Sequence, residues 1–227
     1  MPAQPNRSLA DGMALFGALC ASGTPLGSRE AARLMGWEAT RANRLLGTLR
    51  DLGLAEQDAD RRYRPGPGVH LLAAQVLRGS GLLGAAMRVL ARTPRDGLGV
   101  AFGVLWQGQV VYLLHAGVGE PIETGLRPHA LFPAGESSIG RLLESMLQVP
   151  NAQTPAGMQA GIRRRGYAEQ RNPEGTTGSL AMLIPGTTAA IAFLADYAVI
   201  PPAAVAARLA PVAQAIAAEI TLPDSSR

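Results

Sequence analysis

The sequence predicts a mixed α/β (α+β) chain: an N-terminal winged helix-turn-helix, a linker helix and a C-terminal α/β domain. Three observations carry this. Residues 28 to 64, SREAARLMGWEATRANRLLGTLRDLGLAEQDADRRYR, spell helix, tight turn, helix and basic hairpin within 37 residues. An apolar helical run from about Val69 to Arg78 lies between Pro65-Gly66-Pro67-Gly68 and Gly79-Ser80-Gly81, the punctuation of a linker. From Leu82 onward, short apolar runs of strand length alternate with helical periodicity. The expected divisions are residues 1–65, 66–81 and 82–227.

Within the first module, Leu9 to Ser22 reads as a helix that follows a loose, proline-bearing tail over residues 1–7. Arg7 followed by MALFGALCASG faintly imitates a signal peptide or lipid-attachment site, but Asp11 interrupts it and Leu19 before Cys20 is not small. Ser28 is placed to cap a short second helix and Gly36 to close it. A third helix runs from about Ala39 to Leu52, with Ala42, Leu45, Leu46, Leu49 and Leu52 in one apolar stripe. Its other face carries Thr40, Arg41, Asn43, Arg44, Thr48 and Arg50. Gly53 ends it, and a turn at Asp58-Ala59-Asp60 leads into Arg61-Arg62-Tyr63-Arg64. Strand alternation puts Arg62 and Arg64 outward and Arg61 with Tyr63 on the opposite face, the tyrosine packing inward.

This arrangement suits the groove of double-stranded DNA. Arg41 and Arg44 have the donor forks for guanine O6 and N7, and Asn43 has the pair of groups that matches adenine. The alternative role for each is a phosphate contact, which positions without specifying. Ser28, Arg29, Thr40, Thr48, Arg61, Arg62 and Arg64 complete the DNA-facing set, the wing arginines as phosphate or minor-groove contacts. Glu38, near the start of the third helix, favours the helix dipole and could accept a bond from cytosine N4.

Composition sets bounds without deciding function. The chain has 227 residues, 47% of them apolar, enough for one or two cores. All 21 basic residues are arginine, and the net charge of +4 is mild for a chain of this size. The single cysteine, Cys20, forms no internal disulfide, fits a reducing, cytoplasmic setting, and reads as a buried thiol on an apolar helix face. No segment reaches 18 uncharged apolar residues, so no membrane span is expected.

In the second domain, a helix over Leu82 to Arg92 precedes a hairpin formed by Leu98 to Trp106 and Val110 to His115, with Gln107-Gly108 at the turn. Helices follow over Ser137 to Leu147 and Thr154 to Arg165, then strands over Leu180 to Ile184 and Ala189 to Ala195 around Pro185-Gly186. A final helix aligns Val205, Leu209, Val212, Ile216 and Ile220, and Pro211 must kink it or start a new one. Signs of catalysis are poor. GESSIG at 135–140 lacks the spacing of a nucleophile elbow, and its hydroxyls fit better as helix caps. His70, His115 and His129 share no metal-ligand spacing, so neither a metal nor a cofactor is expected. Arg163-Arg164-Arg165 reads as a solvated run compensating a helix C-terminus.

Across nearly its whole length the chain resembles the IclR family of bacterial transcription regulators. TRANRLLGTLRDLGLAEQD and RRYRPGPGVHLLA are similar to that family's recognition helix, wing and linker; QGQVVYLLHAG, SSIGRLL and IRRRGYAEQ are similar to later segments, with Arg141 in place of a lysine. The resemblance implies a homodimer or tetramer on a palindromic operator and a GAF-like second domain that binds a small effector. It places the effector against Ser137, Ser138, Ile139 and Gly140 and the last strands near Ala181, Ala192 and Leu194. There the family would carry polar or cysteine side chains, and this chain is apolar. A small apolar or aromatic acid is therefore the expected ligand. The alternatives are a second domain that only assembles subunits and, from another class, a small-molecule enzyme with an accessory winged domain.

Overall fold

The computed structural model describes residues 6–126, 131–149, 151–173 and 175–221, and divides between Gly79 and Ser80 into two compact units. The first contains α1 (Arg7–Ala21), α2 (Ser28–Met35), α3 (Ala39–Asp51), a hairpin of β1 (Ala55–Gln57) and β2 (Tyr63–Pro65), and nearly all of α4 (Pro67–Ser80). Gly36, at φ 67°, takes the left-handed turn between α2 and α3 without the steric cost a side chain would bring. The first three helices and the wing meet in a single core: Leu15 and Leu19 of α1, Ala31 of α2, Leu46 and Leu49 of α3, and Ala55 and Tyr63 of the wing. Burying a leucine stabilises by about 1.5–3 kcal/mol, so tertiary packing rather than intrinsic propensity holds helices this short. The backbone of Tyr63 pairs both ways with Leu26 at 2.8 Å, tying the wing to the residues just before α2.

Several local expectations are corrected. Ser28 is not the cap of α2: the Ala31 N–H already bonds the Gly27 carbonyl, so Gly27 takes that position and Ser28 sits inside the first turn. Asn6, assigned to a loose tail, caps α1 by accepting the Leu9 N–H at 3.1 Å, and Arg7 begins the helix. Residues 1–5 lie outside the described residues. Cys20 is exposed, because the core-facing positions of α1 are Leu15 and Leu19 and Cys20 stands about 100° round from the latter. Leu52 is 66% exposed where the chain leaves α3, and Leu54 packs on the core instead. The proline-glycine stretch does not break the chain as expected: α4 begins within it at Pro67, which is suited to a first helical turn, and runs through Gly79 and Ser80. Only Gly81, at φ 59°, separates it from the next helix. Gly66 and Gly68 are required by close approach, since a Cβ on either would lie 2.6 or 2.8 Å from the Gly53 carbonyl oxygen.

The second unit contains α5 (Leu82–Arg92), β3 (Gly99–Trp106), β4 (Gln109–Ala116), β5 (Phe132–Pro133), α6 (Ser138–Leu147), α7 (Ala156–Arg165), β6 (Tyr167–Arg171), β7 (Thr177–Leu183), β8 (Ala189–Asp196) and α8 (Pro202–Thr221). Its six strands form one antiparallel sheet in the order β5-β4-β3-β8-β7-β6. The four strands and the hairpin turn expected from sequence are present, Gln107 and Gly108 both having positive φ as a two-residue turn requires. One sheet face packs Val100, Phe102, Leu114, Ile191 and Phe193 against α5 and α8. The other receives α6 and α7. There Ala101, Ala192, Ala181 and Ala168 lie in register across β3, β8, β7 and β6. This row of methyl groups lets α6 lie close to the sheet, with Ile139, Leu142 and Leu143 against it.

Two helix expectations change. The helix expected from Thr154 starts at Ala156, because the buried Glu144 carboxylate holds the Gln153 and Thr154 N–H groups at 2.8 Å and the Thr154 hydroxyl at 2.6 Å. α8 is a single helix through the exposed Pro211, which excludes a second helix starting there. Residues 202–220 are long and apolar enough to cross a bilayer by length and composition. In the fold their stripe of Val205, Leu209, Val212 and Ile216 is buried on the sheet, and Arg208 and Glu219 make ion pairs. His129 lies outside the described residues.

Candidate nucleic-acid interface and ligand cavity

The stripe that buries Ala42, Leu46 and Leu49 turns Thr40, Asn43, Arg44 and Thr48 outward on α3. Arg44 is exposed and, among the described residues, makes no ion pair, so its guanidinium is available to a base edge or phosphate. Asn43 is exposed but its Oδ1 already accepts the Ser28 hydroxyl at 2.9 Å, a bond that steadies the α2–α3 pair. The Thr48 hydroxyl turns back to the Arg44 carbonyl at 3.1 Å. Arg41 is held differently: it pairs with Asp11 of α1, and its guanidinium lies 4.9 Å from the centre of the Trp37 ring.

In the wing, Arg61 and Arg64 are exposed and Tyr63 is buried, as alternation from Tyr63 onward requires. Arg62 departs from the expectation. Arg61 takes the left-handed region at φ 60°, so the strand begins only at Tyr63 and alternation does not reach back to Arg62. The Arg62 side chain instead folds toward α2, donating to the Pro25 carbonyl at 2.9 and 2.7 Å and to Glu30 at 2.7 Å. Arg64 bonds Glu56 on the neighbouring strand at 2.9 Å. Arg29, at the start of α2, is exposed and without an ion pair among the described residues.

In the second unit the start of α6 is fixed by four hydroxyls. Ser137 caps the helix, accepting the Gly140 N–H at 3.3 Å, and bonds the Tyr112 phenol at 3.0 Å. A register shift in the β3–β4 pairing between Phe102 and Gly103 is what aims Tyr112 there: Leu114 faces α5 and α8, whereas Tyr112 and Val110 face α6. Burial pushes the Tyr112 phenol up, and its bond to Ser137 partly opposes that. The Ser179 hydroxyl of β7 donates to Ser138 at 2.8 Å. Gly140 answers a packing need, because a Cβ there would sit 2.3 Å from the Ala134 carbonyl oxygen.

Ser137, Ser138, Ile139, Gly140, Ala181 and Ala192 are thus all buried, and the two alanines lie in the row beneath α6. Leu194 is half-buried and lines a cavity of about 420 Å³, together with Val118, Gln170, Arg171, Thr177 and Ser179. Sequence reasoning missed these companions of Leu194. Register supplies the signal: Ser179 pairs with both Leu194 and Gln170, so all three share the face that receives α6. Gln170 Oε1 is buried there without a hydrogen-bond partner among the described residues. Arg171 bonds Glu169 at 2.6 Å and stacks 5.3 Å from the Tyr197 ring. A larger cavity, about 640 Å³, lies at the other end of α6; its carboxylate, Glu144, is already occupied by the Gln153–Thr154 segment. The smaller cavity therefore has the stronger claim, having an open acceptor.

The class defined by these features is a winged helix-turn-helix protein with a second, mixed α/β unit. Residues 8–59 match the IclR helix-turn-helix domain. Along most of its length the chain is similar in structure to an IclR transcriptional regulator from Silicibacter sp. TM1040, at TM-score 0.75 and 21% identity, covering 96% of this chain and 98% of that one. It is similar also to the regulator from Alicyclobacillus acidocaldarius, at 0.70 and 19%, covering 96% and 100%. A third likeness is to an IclR homologue from Microbacterium hydrocarbonoxydans complexed with 4-hydroxybenzoate, at 0.64 and 18%, covering 94% and 98%. No curated protein matches the chain. The chain carries the IclR helix-turn-helix domain and, over nearly its whole length, the fold of the IclR transcriptional regulators.

Proposed function

We propose that the protein is a cytoplasmic, ligand-responsive transcription regulator that binds a palindromic duplex as a homodimer or higher oligomer and catalyses no reaction. The observation that carries the DNA-binding reading is α3 of an IclR-type module presenting Thr40, Asn43, Arg44 and Thr48 opposite its buried stripe, Arg44 having no ion pair among the described residues. One such helix reads few bases, and two-fold symmetry doubles the contact. Selection from a random duplex library tests this directly. Recovery of a two-fold symmetric site supports the reading, and recovery of no common sequence defeats it.

For the effector, the cavity beside Leu194 and Ser179 fits a small acid with an aromatic or aliphatic body. A buried charged group without partners would cost several kcal/mol, so the apolar end points inward toward Leu194. The likeness to a homologue complexed with 4-hydroxybenzoate supports this choice. Calorimetric titration with 4-hydroxybenzoate and benzoate, against sugar acids and small dicarboxylates, tests it. A second reading, assembly without a ligand, is favoured by the alanine row, against which α6 packs in one buried cluster. Failure of every acid to bind would select it.

A further inference from the structure

The first unit has nine arginines and seven carboxylates between residues 6 and 65, and three of those carboxylates sit on arginines of the DNA-facing set. Asp11 of α1 holds Arg41, Glu30 of α2 holds Arg62, and Glu56 of β1 holds Arg64. The three acids come from three different elements. The Arg62 and Arg64 pairs are exposed, and such pairs add little to folding, about 0.2–1 kcal/mol each, so their coincidence with the basic face calls for another account. A carboxylate presents to a guanidinium the same fork of oxygens that a phosphate does. Arginine so neutralised adds nothing to the counterion release that drives sequence-independent DNA binding, because it must leave one anion to reach another. Arg29, Arg44 and Arg61 remain exposed without ion pairs among the described residues and are left to make the first contact.

Building on the DNA-binding reading above, we propose that Asp11, Glu30 and Glu56 are resident stand-ins for DNA phosphate. They hold Arg41, Arg62 and Arg64 out of random contact and release them only on a duplex whose fit to α3 compensates for the exchange. They are specificity-determining residues although none is expected to touch DNA. Glu56 is the sharpest case, since among the described residues its bond with Arg64 stands alone, whereas Arg62 also holds the Pro25 carbonyl.

The test measures binding of the full chain to a random-sequence duplex by fluorescence anisotropy over a range of salt concentrations. Glu56→Gln is expected to bind roughly two- to five-fold more tightly than the wild type, the strength of an exposed pair. Its plot of log affinity against log salt should be steeper by about 0.9, the increment for one added phosphate contact. Glu30→Gln should show a smaller gain. Asp60→Asn removes an exposed wing carboxylate that makes no ion pair among the described residues and serves as the charge control. In an Arg64→Ala background the gain from Glu56→Gln should vanish. Thermal melting of each variant verifies that the exposed substitutions leave the fold intact. The proposal is overturned if Asp60→Asn gains as much as Glu56→Gln, if the gain survives in Arg64→Ala, or if neither glutamate variant gains. A wild type that binds no duplex even at low salt defeats the DNA-binding reading itself, a separate outcome.

Discussion

Arg44 and Arg62 are the same residue type in one basic face, and their surroundings give them different work. Arg44 is unencumbered on α3, so Arg44→Ala should cost about 1–3 kcal/mol on the preferred duplex and relax selection at one base position. Arg62, held by Pro25 and Glu30 until a fitting duplex releases it, should on replacement by alanine weaken the preferred duplex without relaxing any one base position and leave random sequence nearly unchanged; paired selection and random-duplex binding experiments on the two variants check this. A second contrast concerns Tyr197, whose hydroxyl is buried without a partner among the described residues. Burial first, and the charge of Glu169 next, push its phenol from 10.0 up to about 12. The folded state therefore keeps a proton that the unfolded chain loses, so stability is full below about pH 10 and falls as pH rises toward 12. Tyr197→Phe should flatten that alkaline loss in base unfolding followed by circular dichroism. At neutral pH it should leave stability unchanged or raised by about 1 kcal/mol, because no bond is broken.

At the level of elements, glycine positions separate packing from conformation. Gly140 is pressed against Ala134 by the approach of α6, and Gly140→Ala should destabilise the second unit by about 1–3 kcal/mol or more through overpacking. Gly157, in α7 with open space where a Cβ would project, should behave oppositely: Gly157→Ala should stabilise by about 0.5–1 kcal/mol. Thermal or denaturant melts of both variants decide the signs. The same distinction explains what was legible in the sequence. Elements with a long apolar period were plain: α3, α5, the β3–β4 hairpin, β7, β8 and the stripe of α8. The start of α7 was not, because it depends on Glu144 capturing Thr154 from another helix. Nor was the DNA-facing set fully legible, since nothing in strand alternation reveals that Arg61 turns left-handed and sends Arg62 back to α2. Of the three strand positions expected near the effector, Leu194 lines the smaller cavity, whereas Ala181 and Ala192 lie in the packed row; Ser179, two residues before Ala181, lines it too.

Across the whole molecule, mild net charge and a partly self-neutralised basic face together imply a modest salt dependence. The slope of log affinity against log salt on a random-sequence duplex should correspond to fewer phosphate contacts than the number of arginines presented, and anisotropy titrations at several ionic strengths measure it. The position of Cys20 bears on how such experiments can be done. It is the chain's single thiol, exposed on α1, and points away from the Leu15–Leu19 face that packs on α3. Partial burial pushes its thiol up, so alkylation should accelerate as the buffer is made more alkaline. A nitroxide attached there would give every subunit one reporter at a known place without any engineered mutation. Electron–electron distances between such reporters would then count the subunits and follow the DNA-binding modules as duplex or acid is added.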